Sequence, residues 1–129
     1  MAEGVNIFVD GGVLKIGENF YSNRNLLIQC GENVAIGNNV LVGWNVSIRD
    51  TDGHLLADND KDRAESEKIV IEDDVWIAAD VTILKGTQIS KGSITACNSV
   101  VHRLKMIKPN CMIAGIPAVV KREGIVRKS

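Results

Sequence analysis

At 129 residues, 45% hydrophobic and only 4% aromatic, the chain has the length of one domain but few of the rings that fill a broad core. A formal net charge of −1 gives no global field toward nucleic acid or a membrane surface, and no apolar run is long enough to span a bilayer. Three cysteines, widely spaced and without Cys-x-x-Cys, argue against a disulfide framework and a zinc site, and Met1-Ala2-Glu3 opens no signal peptide, so a reducing cytoplasm is the expected location.

In chain order, Leu14 and Ile16-Gly17-Glu18-Asn19-Phe20 open a six-residue pattern. The step from Ile16 to Cys30 is not a multiple of six, which predicts a small insertion near residues 22–25 and an atypical end coil acting as a cap. Cys30, Ile36, Val42 and Ile48 then fall six apart, with Val34, Val40 and Val46 in companion slots. After a gap, Ile71, Ile77, Ile83, Ile89, Thr95 and Val101 resume the spacing, accompanied by Val75, Val81, Thr87, Ser93 and Ser99. Helices repeat their apolar residues every three or four positions and half-buried strands every two, so a period of six fits neither alone. It fits short flat segments joined by tight corners. Gly31, Gly37-Asn38-Asn39, Gly43, Asp73-Asp74, Gly86, Gly92 and Asn98 supply residues suited to those corners. The predicted fold is all-β, a parallel β-helix with three faces and about 18 residues per coil. Residues 13–48 form its first coils, 49–68 an excursion loop, 69–103 the later coils, and 104–129 a C-terminal segment with a basic tail. Cys30 stands in an inward slot as a small core residue.

Between Ile48 and Ile71 the pulse vanishes and the chain turns polar, through Asp50-Thr51-Asp52-Gly53-His54 and on to Lys68. A loop thrown out from a rigid stack is a common mount for function. His54 can exchange a proton near neutrality, and Asp50 and Asp52 are both candidates to orient its ring; the alternative is a solvated surface histidine. His102 is the only other histidine, so a three-imidazole zinc site cannot be built, although a carboxylate could replace one ligand; no metal is expected. Trp76 follows the inward Val75 and cannot fit a narrow interior. It must point outward, either packing beneath the long loop or walling a ligand tunnel or subunit contact. Trp44 stands in a Gly43-Trp44-Asn45 corner. Arg103, Lys105, Lys108, Lys121, Arg122, Arg127 and Lys128 form a local basic excess, either solvated tail or partly directed at a phosphorylated cofactor.

Several stretches together resemble a known family: Ile36-Gly37-Asn38-Asn39-Val40, Asp50-Thr51-Asp52-Gly53-His54, Val75-Trp76-Ile77-Ala78-Ala79, Ile83-Leu84-Lys85-Gly86, Asn98-Ser99-Val100-Val101 and Ala114-Gly115-Ile116-Pro117-Ala118. They resemble the hexapeptide-repeat acyltransferases with a left-handed β-helix, nearest to sugar and polysaccharide O-acetyltransferases of the maltose and galactoside type. The resemblance implies left-handed coils, a homotrimer with active sites between subunits, and acetyl-CoA as acyl donor to a small-molecule or oligosaccharide acceptor. It implies His54 as general base in direct transfer, with Asp50 and Asp52 beside it. Trp76 and Ala78 would lie at the acetyl end, and the Ala79 N–H would face the thioester oxygen. Cys97, Val101, His102 and Arg103 would line the coenzyme arm, with Lys121 or Arg122 near its phosphates. Ala78 stands where the family usually has glycine, and Cys97-Asn98-Ser99 and His102-Arg103 also depart from its usual residues. Amino-sugar N-acetylation and a non-catalytic trimeric binding module are the alternative readings.

Overall fold

A computed structural model describes residues 4–51 and 66–126. Asp52 and His54 lie outside them. Among the described residues there are fifteen short strands and no helix. The strands form three faces of a prism. The first face stacks Asn6–Val9, Leu26–Cys30, Val46–Arg49, Thr82–Leu84 and Val100–Val101, and the second Val13–Ile16, Asn33–Ile36, Ile69–Ile71 and Gln88–Ile89. The third stacks Tyr21–Ser22, Leu41–Val42, Trp76–Ile77, Ile94–Thr95 and Met112–Gly115, and ends on the antiparallel strand Ala118–Arg122. All other ladder pairs are parallel, because each coil returns to a face in the same direction.

Every face sends alternate residues inward. Ile28, Ile48, Ile83 and Val101 stack in register on the first face; Ile36, Ile71 and Ile89 on the second; Ser22, Val42, Ile77, Thr95 and Ile113 on the third. Nearly all are fully buried. At roughly 1.5–3 kcal/mol for each aliphatic side chain taken from water, these columns are the main favourable term in the fold.

Paired residues are 18 apart in the later coils, as Val70 with Gln88 and Trp76 with Ile94. In the early coils they are 20 apart, as Val13 with Asn33 and Tyr21 with Leu41, and 21 apart where Asn6 pairs with Leu27. The two extra residues do not sit near residues 22–25, where the hexad is intact from Ile16 through Ser22 to Ile28. They sit at the first-to-second corner, where Leu26, Ile28 and Cys30 all point inward. Cys30 is a third inward residue on its strand, and its six-residue distance to Ile36 results from the enlarged corner. The stack also begins earlier than residue 13, with Asn6–Val9 paired on Leu27 to Cys30, and continues past residue 103 through Met112–Gly115.

Asparagine and aspartate build two of the three corners. Asn19, Asn39 and Asp74 hold one at φ 57, 59 and 61°, and Asn25, Asn45, Asp80 and Asn98 another at 63, 57, 59 and 60°. These residues tolerate left-handed backbone, and their amides link neighbouring coils. Asn19 Nδ2 donates to Asn39 Oδ1 at 3.0 Å, and Asn45 Nδ2 to Asp80 Oδ1 at 3.1 Å.

Candidate active site

The excursion leaves the prism at the first-to-second corner. Asp50 occupies the inward slot equivalent to Cys30 one coil earlier, and its own N–H donates to the Gln29 carbonyl at 3.2 Å. Its carboxylate is fully buried. Oδ1 accepts the Gly31 N–H at 2.7 Å, and Oδ2 accepts the N–H groups of Glu32 and Asn33 at 2.9 and 2.7 Å. Three of about four acceptor positions are thereby taken. These backbone partners hold Asp50 in the wall of the preceding coil, and the Cys30 thiol stands beside its carboxylate. Thr51 and Ser66 form an antiparallel bridge across the neck of the loop.

Burial, and after it the negative charge of Asp50, pushes the Cys30 thiol above its ordinary pKa; its Sγ lies 3.3 Å from the Val13 carbonyl. Cys30 is thus a neutral core group. Among the described residues no cluster of His, Cys, Asp and Glu is placed to hold a metal ion.

The other expected site residues divide among different edges. Trp76 is 39% exposed on the outer side of the third face, in register between Leu41 and Ile94. With Tyr21, Asn23, Trp44, Ala78 and Ala79 it borders a cavity of about 290 Å³. Ala78 and Ala79 turn the third-to-first corner directly above Gly43. A Cβ on Gly43 would lie 2.7 Å from the Ala79 nitrogen, so glycine is required there by the close approach of the next coil. The Ala78 N–H donates to the Thr95 carbonyl and the Asp80 N–H to that of Trp44, whereas the Ala79 N–H donates to no described residue. Cys97 is exposed one coil later at the same corner, where the following Asn98 N–H donates to the Ala79 carbonyl.

His102 and Arg103 belong to the first-to-second corner, on the side of the loop neck. Arg103 stands at φ 53° and its Nη2 is 2.6 Å from Glu67 Oε1. Val101, expected along the coenzyme arm, is instead wholly buried in the first-face column. A side chain pointing into the prism cannot line an outer groove. Lys121 is exposed on the antiparallel end strand beside Met112–Gly115. The sequence placed Gly43 at a corner but not beneath Ala79, and it did not single out Glu67 or the apolar column of Tyr21, Leu41, Ile94 and Met112 around Trp76, although their coil-length spacing was present to be read.

Comparison with known proteins gives the arrangement a family. No protein-family model matches the chain. The galactoside O-acetyltransferase of Escherichia coli K12 is 39% identical over 118 residues, covering 90% of this chain and 57% of that protein. A solved polysialic acid O-acetyltransferase superposes with a TM-score of 0.90 at 25% identity, over 99% of this chain and 62% of the other. The chain belongs to the hexapeptide-repeat acyltransferases. A hexapeptide-repeat acetyltransferase of Vibrio cholerae in complex with acetyl coenzyme A superposes with a TM-score of 0.76 at 28% identity, over 95% of this chain and 69% of the other. The prism described above is thus the left-handed β-helix of that family, and the chain spans little more than half the length of the galactoside O-acetyltransferase it matches.

Proposed function

We propose that this hexapeptide-repeat protein transfers an acetyl group from acetyl-CoA to a hydroxyl of a sugar or polysaccharide, working as a homotrimer in the cytoplasm. His54 removes the hydroxyl proton as the oxygen attacks the thioester carbonyl, and returns it to the departing coenzyme A thiolate. The Ala79 N–H, with no described acceptor of its own, stabilises the oxyanion between those steps. Trp76 and Ala78 wall the acetyl end, Cys97 borders the coenzyme arm, and His102 and Lys121 lie where its polar groups pass. No acyl-enzyme forms.

The observation that carries this reading is the Ala79 amide, without an acceptor among the described residues, beside the Trp76 cavity, on a scaffold shared with an acetyl-CoA-bound relative. The separation of edges supports an assembly in which copies meet edge to edge. From the Asn45 corner to Asp50 the first face runs five residues, about 17 Å of extended chain. The loop neck and the Ala79 amide therefore stand on different edges of one copy, and a neighbouring copy brings them together.

Incubation with acetyl-CoA and a panel of sugars, read as free thiol release, tests the activity, and light scattering tests the trimer. Turnover of at least one sugar by a species of three chains is the expected result. A protein that neither binds coenzyme A nor turns over any acceptor overturns the reading.

A further inference from the structure

The excursion that carries His54 is footed into the coils on both sides of it. At the entry, the buried Asp50 holds three N–H groups of the preceding coil, at Gly31, Glu32 and Asn33. At the exit, Glu67 pairs with Arg103, which turns the corner of the last coil. Gly86 makes room for that pair: its φ is 77°, and a Cβ there would lie 2.9 Å from both Arg103 Cγ and Glu67 Oε2. The two feet are also joined to each other, by the Glu67 N–H on the Asp50 carbonyl at 2.9 Å and by the Thr51–Ser66 bridge.

Fold stability alone does not call for this arrangement. A buried carboxylate is costly unless its acceptors are filled, and an apolar residue in the equivalent slot, as Cys30 one coil earlier, avoids that cost. What the carboxylate adds is direction: both oxygens are fixed by charge-assisted bonds, so the chain leaves the prism at one height and one angle. The exit foot does the same from the coil above. Arg103 is thereby neutralised by Glu67 and is a poor candidate for a coenzyme phosphate.

We infer that Asp50 and the Glu67–Arg103 pair are positioning residues, which set where His54, four residues beyond Asp50, meets the acceptor hydroxyl. The inference rests on the acetyltransferase reading, and its test has an arm independent of turnover.

Steady-state kinetics of Asp50→Asn, Asp50→Ala, Glu67→Gln, Arg103→Gln and the Glu67→Gln/Arg103→Gln double variant form the first arm. Misplacement of about 1 Å can cost about a hundredfold, so a kcat loss of about tenfold or more is expected for Asp50→Ala and Glu67→Gln. KM for acetyl-CoA should stay within about twofold, and Asp50→Asn, which keeps one acceptor oxygen, should regain part of the rate. Arg103→Gln should match Glu67→Gln, and the double variant should be no worse than either. A raised KM for acetyl-CoA in Arg103→Gln but not in Glu67→Gln makes Arg103 a coenzyme contact and overturns the exit foot. The second arm is the rate of tryptic cleavage after Lys61 and Arg63 in the native protein, with the half-exposed Glu67→Gln as the variant certain to test the foot if Asp50→Ala does not fold. A rise of about tenfold supports the footing, and an unchanged rate overturns it. Failure of the enzyme reading appears instead as a wild-type protein silent in the kinetic assay.

Discussion

The side chain of Asn25 donates its Nδ2–H to Oδ1 of Asn45 at 2.9 Å across one coil spacing, and both residues stand at positive φ. Asn45 passes the pattern on to Asp80. One residue type thus meets two demands, a left-handed backbone and a bridge to the adjacent coil. Replacement by alanine keeps neither, and should cost about 2–3 kcal/mol from backbone strain and lost hydrogen bonds together. Asn45→Gly keeps the backbone and loses only the bridge, so it should cost about 1 kcal/mol less than Asn45→Ala. Urea unfolding at one fixed protein concentration measures both; equal losses would show that φ contributes nothing.

Gly43 supports a second prediction. The atoms a Cβ would strike are the Ala79 nitrogen at 2.7 Å and the Ala78 carbonyl carbon at 2.9 Å. Both are backbone, so no rotamer change can relieve the clash. Gly43→Ala should push the Ala79 corner outward and misdirect its N–H. Loss of one such donor commonly lowers kcat by about 10²–10³, and a partial displacement should lower it by at least about tenfold. Wild-type kcat in a folded Gly43→Ala protein would remove Ala79 from the proposed oxyanion role.

How far the sequence led can be judged at Cys30 and Asp50. The hexad columns were legible because inward slots admit only small aliphatic groups, and the period of six survives wherever corners are of standard length. Cys30 hid the true phase, which runs through Ile28. An enlarged corner restores a six-residue step to Ile36 by adding one inward residue, and sequence alone cannot tell a slot from an extra. Asp50 fills the same extra slot one coil later. Its nearness to His54 in sequence pointed to chemistry, while its partners were amides 17 to 19 residues back, a relation visible only once the coils are stacked. Trp76 was placed outward correctly because its volume excludes it from the interior. Val101 is buried as its inward slot in the hexad series requires, so its side chain does not reach the outer surface where the family resemblance put it.

The raised thiol pKa of Cys30 predicts an alkaline signature. Burial first, and Asp50 second, favour the neutral thiol in the native protein, so the unfolded chain loses this proton at lower pH than the folded one. The stability from this site is therefore complete below the ordinary thiol range and is lost as pH rises through it toward the raised native value. Between about pH 8 and 10 the urea midpoint should fall more steeply for the wild type than for Cys30→Ala, which has no proton to lose at this site. Parallel slopes would show that Cys30 does not contribute.

The sharpest prediction concerns which copy supplies which part of the site. If His54 is the base proposed above, His54→Ala should lower kcat by about 10²–10⁴ while leaving coenzyme A binding within about twofold, because such a base acts on the acceptor and not on the coenzyme. Trp76→Ala should weaken the acetyl end of the site. The loop neck at Thr51–Ser66 and the Trp76 wall belong to different edges of one prism, so in the proposed cyclic trimer each site would take its base from one copy and its wall from the next. Coexpression of the two variants should then rebuild sites in which a Trp76→Ala chain contributes His54 and a His54→Ala chain contributes Trp76. With random assembly in equal amounts, one arrangement in four is intact at any interface, and activity should recover to about a quarter of wild type. If base and wall came from the same copy, every mixed trimer would carry only broken sites. Activity of the mixture no higher than that of the separate variants would place the complete site within one chain.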